Sequence, residues 1–237
     1  MRTLAFSLLA ALALAGCINA HDSSDDQDTD AGAASSSGNG DRHAVNSSIH
    51  VAAGTSAGDV TTVNGSIHAD EGATVKDANT VNGNISLGDR ANAASLNTVN
   101  GGISLGSGSH VLHDVNAVNG TLTVHSGSDV GGKVSNVNGS ILLAAAHVGG
   151  AITTVNGNID VGANAHVDGG ITVRKPTGSF FGNWSTGEPP RVVIGPGAVV
   201  KGELKFEREV RLYVSDSASI GTVVGATPVK FSGDHPT

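Results

Sequence analysis

Histidine is the residue type in this chain with the clearest capacity for metal chemistry. The chain has ten histidines, and His50 and His68 stand 18 residues apart at the same offset of an internal repeat, as His147 and His166 nearly do. Imidazoles stacked about 5 Å apart could share a divalent ion. No carboxylate is expected at the same offset in those repeats, and no cysteine can join the histidines. The pattern therefore favours surface ladders and predicts no metal site.

Carboxylates are the second group that could do chemistry. Cleavage of a polysaccharide needs carboxylates clustered with each other or with Arg or Lys, over a groove that is usually lined by aromatics. The acidic residues of the repeats are scattered, and only Asp160 and Asp168 lie on adjacent stretches. The sequence therefore predicts that the protein is not an enzyme and uses no cofactor.

Aromatic residues that could contact a partner are concentrated in one segment, residues 174–191, which interrupts the repeats. The candidate contact residues there are Phe180, Phe181, Trp184, Arg174, Lys175 and Arg191. Aromatics beside arginines are typical of interaction patches. The same aromatics could instead cover the apolar flank of the repeats, and the sequence leaves both interpretations open.

The elements that position these residues follow from an internal repeat. Six copies of Val-Asn-Gly follow one another in steps of 18 or 19 residues, and a degenerate copy starts at Val45; the six begin at Val63, Val81, Val99, Val118, Val137 and Val155. So constant a period is typical of a solenoid, in which each repeat buries its apolar side only against its neighbours. Asn-Gly also favours β-hairpins, but a chain of hairpins does not require constant spacing.

The apolar residues within one repeat alternate as they do in β-strands. Counted from the Val of Val-Asn-Gly, they recur at offsets +4, +6 and +12, which are even offsets, as on one face of a strand. We expect the Val itself to join this buried set, and glycine clusters to form the corners. The sequence predicts an all-β fold, a single-stranded parallel β-helix of about ten coils over residues 43–232.

The Asn of the motif would form a column along this β-helix. Stacked amides can hydrogen-bond to one another as they do in cross-β structures, and Asn-Gly suits a tight corner. We interpret the column as a structural ladder, and a recognition strip for a glycan or an ordered surface is the alternative. Its members are Asn64, Asn82, Asn100, Asn119, Asn138 and Asn156.

The N-terminus is typical of an exported protein. Residues 1–16 read as a signal peptide, with Arg2 followed by an apolar run too short to span a bilayer. The following Leu-Ala-Gly-Cys sequence resembles the lipobox of bacterial lipoproteins. The resemblance implies cleavage before Cys17, acylation of Cys17 (palmitate) and a lipid anchor, and Ile18 in the next position implies the outer membrane.

A linker is predicted between the anchor and the repeats. Residues 17–42 are rich in Asp, Ser and Gly, and they cannot bury enough apolar surface to offset the entropy of ordering. The formal net charge of the chain is −8, and no basic patch is present, which excludes a nucleic-acid partner.

An alternating-sign segment comes near the C-terminus, before a short tail of residues 233–237. It either caps the open end of the solenoid or contacts another subunit. Its charged residues are Lys201, Glu203, Lys205, Glu207, Arg208, Glu209 and Arg211.

The repeats from about residue 45 to 173 resemble the glycine-rich β-solenoids of bacterial adhesin-like and bactofilin-like, polymer-forming proteins, and residues 195–204 are similar to a bactofilin coil. Bactofilins typically lack a lipobox, so this chain departs from their pattern at Cys17. The resemblance implies a structural or adhesive role, and it leaves self-association open. We expect a non-catalytic cell-envelope lipoprotein that presents a β-helix; the alternative is an envelope protein that binds or processes a polysaccharide on one face.

Overall fold

The structure is a computed structural model that describes residues 39–176 and 188–236. Every described residue belongs to one compact unit, Ala33–Thr237. The predicted signal peptide, Cys17 and the linker as far as residue 38 lie outside the described residues, as do Phe180, Phe181 and Trp184.

The described residues form a parallel β-solenoid of about ten coils with a period near 18 residues. All their strand pairings are parallel, so the antiparallel alternative is wrong and the predicted fold class is confirmed. At about 4.8 Å per coil, ten coils extend over about 48 Å. The described residues contain no helix long and apolar enough to cross a membrane.

Each coil contributes short strands to three faces, which we call the first, second and third face in chain order. The third face is a ten-stranded sheet. We number the coils by its strands, which are β2 (Ile49–Val51), β5 (Ile67–Ala69), β7 (Ile85–Leu87), β9 (Ile103–Leu105), β12 (Leu122–Val124), β15 (Ile141–Leu143), β18 (Ile159–Val161), β21 (Arg191–Ile194), β24 (Arg211–Ser215) and β27 (Val229–Phe231).

A 17-stranded sheet bends around the other two faces. Two long strands, β6 (Thr74–Asn82) and β8 (Asn92–Asn100), run through both of them. The first face also contains β3 (Ser56–Ala57), β10 (His110–Val111), β13 (Asp129–Val130), β16 (His147–Val148), β19 (His166–Val167), β22 (Val199–Val200) and β25 (Ser219–Ile220). The second also contains β1 (Arg42–Ala44), β4 (Val60–Asn64), β11 (Val115–Asn119), β14 (Val134–Ser135), β17 (Ile152–Thr154), β20 (Ile171–Val173), β23 (Leu204–Phe206) and β26 (Val223–Val224).

The core is a set of aliphatic columns inside the three faces. Residues at +4 align along the third face, as Ile67, Ile85 and Ile103 do, and they are fully buried. Columns at +6 and +12 are buried beside them, for example Leu105 and Val111. Stacking removes these side chains from water, at about 25 cal/mol for each Å² of apolar surface.

The Val of Val-Asn-Gly does not belong to this core, so that expectation is wrong. In β4 the inward residues are Val60 and Thr62, both fully buried, while Val63 points outward and is partly exposed. The same holds at each of the other five copies of the motif. Alternation is valid only within one strand, and the corner at Gly65 separates Val63 from Ile67. The even offset between them therefore carries no information about the side on which Val63 lies.

Threonine precedes the Val in four coils, and in three of them its buried hydroxyl bonds the corner of the coil before it. Thr80 Oγ1 donates to the carbonyl of Gly65 at 2.9 Å, and Thr98 Oγ1 donates to that of Gly83 at 3.0 Å. In coil six Asn136 takes this position, and its Nδ2 donates to the carbonyl of Gly120 at 2.7 Å. These bonds satisfy polar groups that burial would otherwise leave unpaired.

The Gly of the motif is required by the close approach of successive coils. A Cβ on Gly83 would lie 1.9 Å from the carbonyl oxygen of Gly65, and one on Gly101 would lie 2.0 Å from that of Gly83. Only glycine leaves room for this contact. The Asn-Gly pairs therefore form solenoid corners and not hairpin turns.

Both ends of the solenoid carry residues that hinder strand pairing. At the N-terminal end Arg42 is buried, and its Nη1 donates to the carbonyl of His50 across the first coil at 2.7 Å. In coil ten the exposed Lys230 aligns with the inward-facing Val214, and Pro228 precedes β27. Inward charge and proline on an edge are devices that oppose edge-to-edge pairing.

Candidate functional site

The Asn side chains of the motif form one continuous run of hydrogen bonds along the corner between the second and third faces. The run starts at Asn46 in coil one and ends at Asn156 in coil seven. Each Nδ2 donates to the Oδ1 of the preceding Asn, at 3.0, 2.8, 2.9, 2.9, 2.8 and 3.1 Å in chain order. We call this run the asparagine ladder.

The last asparagine of the ladder bonds Arg208, a residue of the alternating-sign segment. Arg208, from coil nine, donates Nη1 to Asn156 Oδ1 at 2.6 Å and to the carbonyl of Val155 at 3.3 Å. All ladder amides point the same way, so their partial negative ends accumulate at Asn156, and a guanidinium stabilises that end. Nothing in the local sequence around Arg208 indicates this distant partner.

A second amide run lies beside the ladder on the outward side of the second face. Asn97 Nδ2 donates to Asn79 Oδ1, and Asn116 Nδ2 donates to Asn97 Oδ1, both at 3.0 Å. In coils three to five the Val of Val-Asn-Gly lies between the two runs, and in coils two, six and seven a Thr or Ser takes the place of the second amide. The outward surface therefore repeats a polar residue, a valine and a ladder asparagine.

Four adjacent columns of outward residues on this side of coils two to seven carry no titratable residue, and Asp59, Asp77, Asp114 and Lys133 border them at the corner with the first face. We call this surface the charge-free face, and it has four columns along the solenoid: Thr61, Asn79, Asn97, Asn116, Ser135 and Thr153; the six motif valines; the six ladder asparagines Asn64 to Asn156; and Ser66, Asn84, Gly102, Thr121, Ser140 and Asn158. At about 4.8 Å per coil it is about 29 Å long.

Two histidines of the first face, His110 and His147, are paired with carboxylates, contrary to expectation. His147 Nδ1 lies 2.5 Å from Asp129 Oδ1, and its Nε2 lies 3.2 Å from Asp168 Oδ2. His110 Nδ1 lies 2.8 Å from the other oxygen of Asp129, and Lys201 Nζ lies 2.7 Å from Asp168 Oδ1. The five side chains form an alternating row across five coils, which we call the charge ladder.

His110 and Asp129 have the same offset from Val-Asn-Gly, but sequence offsets miss the step from Asp129 to His147 because one coil is a residue shorter than its neighbour. Asp129 aligns with His147, although their offsets from Val-Asn-Gly differ by one, because the corner between them absorbs the difference. His147 also aligns with His166, whose Nδ1 bonds the carbonyl of Asn164. Within the described residues no group of three or more His, Cys, Asp or Glu side chains is arranged to hold a metal ion.

The charge ladder shifts the pKa values of His147 and Asp168 in opposite directions. Hydrogen bonds to Asp129 and then Asp168 raise the pKa of His147, against a smaller opposing effect of burial. Hydrogen bonds from Lys201 and His147 lower the pKa of Asp168. Both shifts favour the charged forms, as expected when opposite charges share hydrogen bonds.

The two acids singled out in the sequence are not brought together. Asp168 belongs to the charge ladder, whereas Asp160 lies on the third face in a shallow groove of about 450 Å³ beside Leu142 and His235. Burial raises the pKa of Asp160. The groove therefore holds one half-buried acid, and the paired carboxylates of a glycosidase are not assembled at this point.

The insertion leaves the solenoid where coil eight would otherwise carry Val-Asn-Gly. Arg174 and Lys175 take the places of the Val and Asn, and the backbone N–H of Lys175 donates to Glu207 Oε2 at 3.4 Å. The chain returns at Arg191, whose N–H donates to Asn158 Oδ1 at 2.9 Å and whose guanidinium lies 5.5 Å from the ring centroid of Tyr213. These three predicted contact cations therefore flank one corner, while the three aromatics between them lie outside the described residues.

The alternating-sign segment lies in coil nine, and coil ten stacks on it. It therefore does not form the end of the solenoid, and the end-cap interpretation is wrong. Lys205 lies 3.1 Å from Glu207 and lowers the pKa of that carboxyl, with help from the N–H of Lys175. The segment is held by contacts within the chain.

Comparison of the chain with models of protein families, with curated proteins and with solved structures finds no match in any of the three.

Proposed function

We propose that this protein is a non-catalytic structural and adhesive lipoprotein of the bacterial cell envelope, which presents the β-solenoid on a lipid tether. The observation that carries the proposal is the repetition of one outward side-chain set over six successive coils. An enzyme concentrates its functional groups at one place, whereas a surface for adhesion or scaffolding benefits from identical groups at regular intervals.

The tether follows from the N-terminal sequence. Acylation at Cys17 would hold the chain at the membrane, since each buried CH₂ of an acyl chain contributes about 0.8 kcal/mol. Residues 19–42 would then let the solenoid reach roughly 25–30 Å from the anchor, if they behave as a flexible coil. The outer membrane is the proposed site, from the residue that follows Cys17.

Metabolic labelling tests the anchor. Cells that make the full chain are grown with a radioactive fatty acid, and the labelled protein is followed by membrane fractionation. We expect label and outer-membrane location for the native chain, and loss of both for Cys17→Ala. A Ser36→Ala variant in the same linker is the matched control and should keep both. Equal labelling of the native chain and Cys17→Ala would contradict the proposal.

Binding of a polysaccharide is the second candidate function, and the charge-free face is the observation that favours it. Assembly through the ends has less support, because Arg42 spans the first coil and Lys230 and Pro228 stand on the last. Processing of a polysaccharide has less support again, since Asp160 and Asp168 lie apart.

A further inference from the structure

We propose that the charge-free face binds a neutral polysaccharide whose chain runs along the solenoid axis. This inference rests on the proposed adhesive function and names its ligand class. The surface is a sheet face that no other described segment covers. Its charge, its hydrogen-bonding groups and the spacing of its columns indicate which class of ligand it binds.

The charge distribution favours a neutral ligand over an anionic one. Nucleic acids and anionic glycans gain their affinity from lysine and arginine, and the four columns contain neither. Charged residues border the face at the corner between the first and second faces, where Lys76 pairs with Asp59 and Lys133 pairs with Asp114. At the far end of the face, the guanidinium of Arg208 is bonded to the last ladder asparagine. An ion on the four columns between these charges would be desolvated without a partner.

The ladder leaves each Asn able to bond a hydroxyl. A primary amide has two N–H donors and two acceptor lone pairs, and the asparagine ladder uses one of each. Asn64, Asn82, Asn100 and Asn119 are exposed. Each therefore keeps one donor and one acceptor toward solvent, which matches a sugar hydroxyl, itself both donor and acceptor.

The ladder also fixes these amides before a ligand arrives. Ordering a flexible side chain at an interface costs about 0.5–1.5 kcal/mol, and side chains already bonded to both neighbours avoid most of that cost. The adjacent run of Asn79, Asn97 and Asn116 is held in the same way. Weak contacts repeated along several coils can then add up to useful affinity.

The valine column supplies the apolar part of the site. Val63, Val81, Val99 and Val118 are partly exposed and lie in line between the two amide runs. The C–H faces of pyranose rings can pack on such methyl groups while ring hydroxyls reach the amides on either side. Coils repeat about every 4.8 Å, which is close to the advance of an extended β-linked chain per sugar.

Co-sedimentation with insoluble polysaccharides tests the proposal. The full chain, extracted from membranes in a non-ionic detergent, is mixed with microcrystalline cellulose, with chitin or with alginate beads, and the bound fraction is measured against polysaccharide concentration. We expect binding to cellulose or chitin and none to the anionic alginate. The paired substitution Val81→Lys with Val118→Lys adds two charges to the face without touching ladder or core, and it should weaken binding at least tenfold.

The matched control adds the same charges to the same coils away from the charge-free face. Thr74→Lys, on the first face in coil three, with Ser126→Lys, at the corner that follows the third face in coil five, changes two exposed residues, and it should leave binding within twofold. If the Val81/Val118 pair melts well below the native protein, Thr61→Glu with Thr153→Glu, on the polar column, replaces it.

Four results would overturn the proposal. The first three are no binding of the native chain to either neutral polymer, stronger binding to alginate, or equal losses in the test and control pairs. Loss of a self-associated species in the Val81/Val118 pair, seen by sedimentation velocity without a change in polysaccharide binding, would assign the face to a second copy and would also overturn it. None of these results affects labelling at Cys17, so the tether can survive failure of this inference.

Discussion

At the scale of single residues, His147 is the side chain whose charge state the structure constrains most. A neutral imidazole has one N–H and one lone pair, so it can donate to only one of two carboxylates. His147 meets Asp129 at one ring nitrogen and Asp168 at the other, so only the imidazolium donates to both. The neighbouring titratable groups are His110, whose Nδ1 also meets Asp129, Lys201 and His166.

The resulting pH dependence has a definite sign. The pKa of His147 is raised above its ordinary value of 6.5, so its contribution to stability is complete below pH 6.5 and is lost as the pH rises through the raised folded-state value. We expect His147→Gln to lower the melting temperature at pH 5.5 by at most about 3 °C, since exposed ion pairs contribute little. At pH 8.5 the difference from the native protein should nearly vanish.

Thermal melting at the two pH values measures this effect. His68→Gln, which changes a histidine outside the charge ladder, is the control and should show no such pH-dependent difference. A His147→Gln deficit that grows from pH 5.5 to pH 8.5 would contradict the assignment of the imidazolium.

At the scale of the element, four of the six copies of the motif extend to Thr-Val-Asn-Gly. The Thr bonds the preceding corner from inside, the Val faces outward, the Asn joins the ladder, and the Gly permits close stacking. The four residues therefore do four separate things at one corner. This explains why the motif recurs with so little variation along the chain.

The threonine column provides an internal comparison. Thr80 Oγ1 has its carbonyl acceptor, whereas Thr154 Oγ1 is buried without a hydrogen-bond partner. Thr80→Val should cost about 1 kcal/mol, the usual net value of such a bond, while Thr154→Val should be neutral or stabilising because it removes an unsatisfied group.

Urea unfolding of the two isosteric variants measures both effects. Because the substitution is the same and both sites are buried, the difference between the variants isolates the hydrogen bond. Equal changes in the free energy of unfolding would show that the hydrogen bond of Thr80 adds no stability relative to the unpaired hydroxyl of Thr154.

At the scale of the whole molecule, each coil stacks only on the coils before and after it. Stability is then close to a sum over coils and the interfaces between them. The insertion in coil eight shows that the solenoid tolerates a local interruption. The third-face strands before and after it, β18 and β21, still pair in parallel register. Removing a full coil should therefore leave a shorter solenoid intact.

Deletion of residues 83–100 tests this modularity. It joins Asn82 to Gly101, restores Val-Asn-Gly and removes 18 residues, so every column should realign. We expect a folded, cooperative protein about 4.8 Å shorter, whose urea m-value falls by about a tenth, because m scales with the surface exposed on unfolding.

A half-coil deletion, residues 83–91, is the control for the full-coil deletion. It removes a third-face strand without replacing it, so the columns cannot realign and cooperative unfolding should be lost. Circular dichroism and sedimentation of both proteins decide the outcome. Equal folding of the two deletions would contradict a register set by coil length.

The sequence predicted the side-chain directions that follow from alternation within one strand. It did not predict directions that depend on a corner between two strands. The 18–19-residue period and the apolar columns at +4, +6 and +12 predicted the parallel β-solenoid, and the structure confirms it. The outward direction of Val63 could not be read in the same way, because a corner breaks the alternation between it and Ile67.

The sequence by itself determined the coil, since period and alternation decide which side chains can be buried together. The stacking of the ladder asparagines was also predictable, because they share one offset in the repeat. The tertiary structure alone decided which side chains meet at unequal offsets, as Asp129 meets His147 and Arg208 meets Asn156. The physical reason is that corners absorb single residues and change direction, so these partners are set by the stacking of coils in space and not by their distance along the chain.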